Sequence, residues 1–350
     1  MKKNSLFISF LFLYSLYFGQ LSGPESIDFD PLNNRYLIAN SSNGKIMQRS
    51  SNGTITQFIG GISPNPYGIE VVGTTVYACC SGKVLGFDLT TGLQVFSVNL
   101  GASFLNGITH DNSGNLFVTD FTAKKIYRIN IATQAFYVFA QSLTQSPNGI
   151  IFDEPSNSLV FVNWGSAAKI KRCSLVDSTV TTILTTSYTN IDGIARKANG
   201  DFYISTWGTN SVYKYNNDFT TTPTLIVSGL SSPADIYYND LTDTLGIPNS
   251  GNNTLTFVGQ STVSLLEQNF SEVAIYPNPS ANLLFVTSSE KKIARIELIN
   301  EGGEVAAIYP VEDSFDVNID VKNLQKGTYF VRLYDNKKIL IGIERFMKVN

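Results

Sequence analysis

The sequence predicts an all-β protein, a six-bladed β-propeller followed by a small Ig-like β-sandwich, and three observations predict it. One phrase recurs six times between Pro24 and Gly259: a turn rich in Pro, Asn or Asp, an apolar strand, a second turn, a second strand and a polar loop. Marked by Ser26, Gly68, Gly107, Gly149, Gly193 and Asp235, the units follow one another at 42, 39, 42, 44 and 42 residues. A period of about 40 to 45 residues holding several short strands is that of a propeller blade, which cannot bury its faces until neighbours pack on it. The composition agrees, with 27 Gly, 17 Tyr and 23 Phe in 350 residues and almost no helix-forming run. From Val273 the period stops and short alternating strands take over.

Taken in order, residues 1–19 read as a secretion signal. Lys2 and Lys3 form a basic start, Leu6 to Phe18 an apolar stretch short for a membrane anchor, and polar sequence follows. No transmembrane segment is expected once it is cut. Residues 20–266 are assigned to the propeller. In the third unit, Gly107 to Thr109 begins the innermost strand, Leu116 to Thr119 returns, and Lys125 to Asn130 and Ala135 to Ala140 complete four strands. The loops after each second strand, such as Asp120-Phe121-Thr122-Ala123 and Asn163-Trp164-Gly165-Ser166, should gather on one rim. The sixth unit is weaker, with only Ser261 to Leu266 left as its outer strand and few residues ahead of Pro24 to help close the ring. Residues 267–272 are a linker. Residues 273–350 hold about seven short strands after Tyr276-Pro277-Asn278-Pro279, a stretch no central strand would contain.

Charge and cysteine content narrow the function classes. A net charge of −3 and a pI near 5.3 offer no basic surface to phosphate, so nucleic acid is not an expected partner. Three cysteines are an odd number for an exported chain. Cys79 and Cys80 are adjacent on one strand and point to opposite faces, and Cys173 lies two blades away, so buried thiols are expected instead of disulfides or a zinc site.

In a propeller the residues that open each innermost strand converge on the central axis. Here they are Glu25, Tyr67, Asn106, Asn148, Asp192 and Asp235. Carboxylates with amide oxygens on rigid strands make an oxygen-only cage, which suits hard cations such as calcium or magnesium. The bland reading of the same Asn-Gly and Asp-Gly pairs is a set of turns that accept positive φ, with no chemistry attached. His110, the single histidine, reads as a surface residue near a turn. Trp164 and Trp207, in equivalent loops of adjacent blades, read as wedges between blades or as a stacking surface for a ligand. There is no Gly-rich phosphate loop.

Two resemblances add to this. Ile275-Tyr276-Pro277-Asn278-Pro279-Ser280, Lys326-Gly327-Thr328-Tyr329-Phe330-Val331 and the terminal Arg345-Phe346-Met347-Lys348-Val349 resemble the C-terminal sorting domain of type IX secretion in Bacteroidetes. That resemblance implies the type IX machinery as a partner, passage through the periplasm, and delivery to the cell surface or the medium with the tail removed. Gly23-Pro24-Glu25-Ser26, Ser146-Pro147-Asn148-Gly149-Ile150 and Asn190-Ile191-Asp192-Gly193-Ile194 resemble the gluconolactonase and senescence-marker-protein (regucalcin) propellers. That resemblance implies one divalent ion, calcium first among them, held by Glu25, Asn148 and Asp192 with Asn106 as a nearby polar contact. It also implies hydrolysis of a lactone or ester, with Asp192 taking or relaying a proton. The alternative is a non-catalytic propeller that binds a ligand or protein. Leu105-Asn106-Gly107-Ile108, Gly114-Asn115-Leu116-Phe117-Val118-Thr119-Asp120 and Lys125-Ile126 are similar to an NHL repeat, a unit used mostly for binding.

Overall fold

The computed structural model describes residues 21–259, 273–300, 303–336 and 340–349. The signal, the outer strand predicted at Ser261 to Leu266 and the linker lie outside the described residues.

Blade one is the antiparallel sheet Pro24–Asp30, Arg35–Asn40, Lys45–Ser50 and Ile55–Ile59, and four further sheets repeat its order of four consecutive strands. The sixth has three described strands, Tyr237–Asn239, Thr244–Asn249 and Thr254–Gly259. Sheets of this kind have two apolar faces, and each face needs a partner. Six apolar clusters supply that, one between each pair of neighbouring blades. The sixth cluster joins Ile27, Phe29, Tyr36 and Ile38 of the first blade to Tyr237, Leu255 and Phe257 of the last, so the ring is closed. Polar contacts hold the same seam. The Asn239 amide donates to the Tyr36 hydroxyl at 3.1 Å, and the Gly23 N–H donates to Asn253 Oδ1 at 2.7 Å. Closure is thus made by packing and hydrogen bonds between the first and last blades.

The glycines of the repeat have a different purpose from the one their sequence context suggests. Gly68, Gly107, Gly149 and Gly193 do not adopt positive φ. They lie where one blade's inner strand meets the next. A Cβ at Gly68 would fall 2.1 Å from the Asn106 carbonyl oxygen, and one at Gly107 2.4 Å from that of Asn148. Side-chain hydroxyls lock the joint: Thr119 Oγ1 accepts from the Gly107 N–H and donates to the Asn148 carbonyl at 2.9 Å, and Ser205 does the same between Gly193 and Ala234. Tight backbone approach, not turn geometry, selects glycine here.

All three cysteines are free and buried, as expected. The described residues from 273 onward form two packed sheets, one of the strands Val273–Tyr276, Leu283–Ser288 and Asp316–Asp320 and one of Ile293–Asn300, Val305–Ser314, Gly327–Tyr334 and Leu340–Lys348. Leu284, Val286, Ile296, Leu298, Val331 and Phe346 fill the space between them. Among the described residues no helix is long and apolar enough to cross a membrane.

Candidate functional site

The repeated inter-blade contacts put Glu25, Tyr67, Asn106, Asn148, Asp192 and Ala234 at one level, the near mouth of the channel. Asp235 is therefore not the sixth member of that ring. It occupies the glycine position one residue deeper, its N–H donates to the Glu25 carbonyl at 2.9 Å, and its carboxylate accepts from Ser26 Oγ at 3.0 Å.

Glu25, Asn106, Asn148 and Asp192 are all buried, at 9%, 6%, 2% and 2% exposure. Burial pushes the Glu25 carboxyl up to about 7, against a hydrogen bond from the Ser250 hydroxyl at 3.2 Å that pulls it down. The Asp192 carboxyl is held well above the usual range, first by burial and then by the charges of Glu25 and Asp235; the Asn148 amide and the Trp207 indole act in the opposite sense. Asn148 Oδ1 and Asp192 Oδ1 are buried without a hydrogen bond of good geometry, and so is the indole N–H of Trp207, although that indole and the Asn148 amide lie close enough to act on the Asp192 carboxyl. Buried polar oxygens left unpaired cost about 1–3 kcal/mol each, so their presence calls for an explanation. Two carboxylates and amide oxygens of this kind fit a hard divalent cation in the nature of their donors. Among the described residues, no group of three or more His, Cys, Asp and Glu stands ready to hold a metal, so the two amides are needed to complete the set.

The rim above this level carries a feature that sequence reading caught only in part. Tyr67, Phe104, Phe121, Trp164 and Trp207 form one unbroken arc of edge-on rings, with centroids 4.7, 5.9, 6.1 and 5.1 Å apart in that order. All five are half-buried. The arc runs through four blades from Tyr67, whose hydroxyl is raised by burial and by the Glu25 charge, to Trp207 beside Asp192. Both tryptophans therefore belong to a continuous aromatic wall.

Below the mouth the axis changes character. Ile27, Ile69, Ile108, Ile150, Ile194 and Ile236, one from each blade, line a cavity of about 330 Å³. The same cavity is walled by Asp235 and Arg196 and, towards its far mouth, by Asp28, Glu70 and His110. His110 is not a surface residue beside a turn: its Nδ1 lies 2.7 Å from Glu70 Oε1, and both side chains are about four-fifths buried. Burial pushes Glu70 up to about 8; burial and the Arg332 charge hold His110 down at about 4. Both shifts run towards the uncharged forms. Nothing in the repeat marks Glu70 and His110 as a pair, because they sit at different depths of adjacent inner strands.

Residues 274–344 match the family described as the secretion system C-terminal sorting domain. No curated protein matches the sequence. Among solved structures, the chain is similar to a gluconolactonase from Xanthomonas campestris, with a TM-score of 0.60 at 13% identity over 69% of this chain and 87% of that one. It is similar to a regucalcin, a calcium-binding protein from Agrobacterium tumefaciens, with 0.57 at 14% over 69% and 90%. It is also similar to a chain of a nidogen/laminin complex, with 0.53 at 16% over 64% and 93%. At these identities the likeness establishes the propeller fold alone. The tail is a secretion system C-terminal sorting domain, and the chain that carries it is an exported β-propeller, addressed by type IX secretion to the cell surface or the extracellular space.

Proposed function

We propose that the near mouth holds a divalent cation, calcium by preference, on Glu25, Asn148 and Asp192 with Asn106 beside them, and that the propeller hydrolyses a lactone or ester there. The observation that carries this reading is the pair of unpartnered buried oxygens, Asn148 Oδ1 and Asp192 Oδ1, next to a Glu25 whose charge already burdens Asp192. A bound divalent cation supplies polarisation of a carbonyl and a lowered pKa for bound water. With a cation beside it to offset the charge of Glu25, the Asp192 carboxylate would be ionised and would take a proton from a water attacking that carbonyl. The aromatic arc from Tyr67 to Trp207 limits access of bulk water and offers an apolar wall to the rest of the molecule.

The test uses the full chain after removal of metal by chelation. Calcium added at about a hundred times its Kd should stabilise the chain by about 2.7 kcal/mol, visible as a rise in Tm. Glu25→Gln should abolish that rise, and Asp192→Ala should abolish turnover of a simple aryl ester or lactone while the ring stays folded. No response of Tm to calcium, magnesium or manganese would remove the cation from the site.

A second reading, a ligand- or protein-binding propeller without turnover, is favoured by the aromatic arc, which spreads over four blades where a small substrate needs one or two rings. Saturable binding with no product formed would select it.

A further inference from the structure

The far mouth of the channel is in contact with the sorting domain. The Val305 N–H donates to the Asn112 carbonyl at 3.3 Å. The approach is close on both sides: a Cβ at Gly303 would fall 2.2 Å from Val72 Cγ1, and one at Gly114 2.7 Å from Glu304 Oε1. Between the two domains lies a mostly apolar cavity of about 290 Å³, with Asp28, Val71 and His110 on the propeller side and Ile299, Phe330 and Ile343 on the tail side. Arg332 lines both this cavity and the one walled by the isoleucines, and its charge acts on His110. A cation from the tail thus sits over a mouth that gathers Asp28, Glu70 and His110.

We propose that the sorting domain stoppers the far mouth of its own cargo, with Arg332 set over the Glu70–His110 pair and Gly303 against Val72. Shape supports the fit: Gly303 abuts Val72, the Val305 N–H meets the Asn112 carbonyl, and Arg332 reaches from the tail to the wall of the cavity that holds Glu70 and His110. While the tail is attached, small molecules enter the channel from the Glu25–Asp192 end. Release of the tail opens the other end and exposes a chamber whose wall sets six isoleucines beside Asp28, Glu70, His110, Arg196 and Asp235.

His110, the single histidine of the chain, reports on this directly. Diethyl pyrocarbonate modifies an accessible imidazole, so the rate of carbethoxylation of the full chain measures access to the far mouth. The full chain should react at least tenfold slower than N-acetylhistidine. Arg332→Glu, which sets a further acid against Glu70 and Asp28, and Gly303→Leu, which wedges against Val72, should each accelerate the reaction about tenfold. If either variant fails to fold, cutting the folded chain at a protease site inserted between residues 259 and 273 gives the same comparison, with faster reaction expected once the tail leaves. Unchanged rates in the variants and in the cut chain, or a full chain as reactive as the free model compound, would overturn the proposal.

Discussion

In the last blade Asp235 stands where the blade before it has Gly193, and the two meet so closely that a Cβ on Gly193 would lie 2.6 Å from Asp235 Cα. A charged side chain has replaced the smallest residue at the one joint that faces the start of the ring, where Ser26 offers it a hydroxyl. The joint itself is backbone against backbone and has no flexible atom to yield.

Gly193→Ala and Gly149→Ala should therefore each destabilise the chain by about 1–3 kcal/mol, the usual cost of overpacking a tight contact. Gly259→Ala, which would meet nothing within 4 Å and has no positive φ, is the matched control. Urea titration decides; equal midpoints for Gly193→Ala and Gly259→Ala would mean the blades can part at no cost.

Stability of the metal-free chain should fall as pH rises from about 6.5 to 8, above the range in which His110, held down at about 4, works in the opposite sense. Glu25 and Asp235 at about 7 and Glu70 at about 8 all bind their protons more tightly folded than unfolded. For such acids the folded state gains below the unfolded pKa, and the gain is lost as pH climbs through the folded values. A fall in Tm of about 3–10 °C across that window is expected. Asp235→Asn should flatten it, and a Tm that rises over the same range would contradict the assignment.

The two tryptophans lie in the arc, with Trp207 beside Asp192, so their emission should report on the near mouth. Terbium, a hard trivalent stand-in for calcium, should luminesce when tryptophan is excited in the full chain. Trp207→Phe should dim that signal strongly and Trp164→Phe partly. Full luminescence in Asp192→Asn would place the ion elsewhere.

The closing seam can be probed at Tyr36, whose ring packs edge-on against Phe257 at 5.0 Å and whose hydroxyl accepts from Asn239. Tyr36→Phe should cost about 1–3 kcal/mol by leaving the buried Asn239 amide unpaired. Tyr36→Ala should cost about 3–5 kcal/mol by adding a cavity to the joint between first and last blades. Thermal melts within experimental error of wild type for both variants would show that closure does not depend on this contact.

The architecture was legible because each blade repeats its apolar pattern at nearly fixed spacing, and because Asn106, Asn148 and Asp192 each precede a glycine. The reason for those glycines was not legible. An Asn-Gly pair reads the same whether glycine serves a turn or a close approach, and Gly107 against the Asn148 carbonyl is settled only by the neighbouring blade. Asp235 was misplaced by one residue for the same cause: Ala234, at the level of Asp192, carries no polar signal. The Glu70–His110 contact and the arc from Tyr67 to Trp207 join residues from different blades at different depths, so no local pattern announces them.

The six isoleucines do not seal the axis: they share one cavity with Asp28, Glu70, His110, Arg196 and Asp235. Asp235 feels the charges of Glu70 on one side and of Glu25 on the other, so a substitution that alters charge at either mouth retunes the acids at the opposite one. The closed frame thus carries a single electrically linked axis to the outside of the cell.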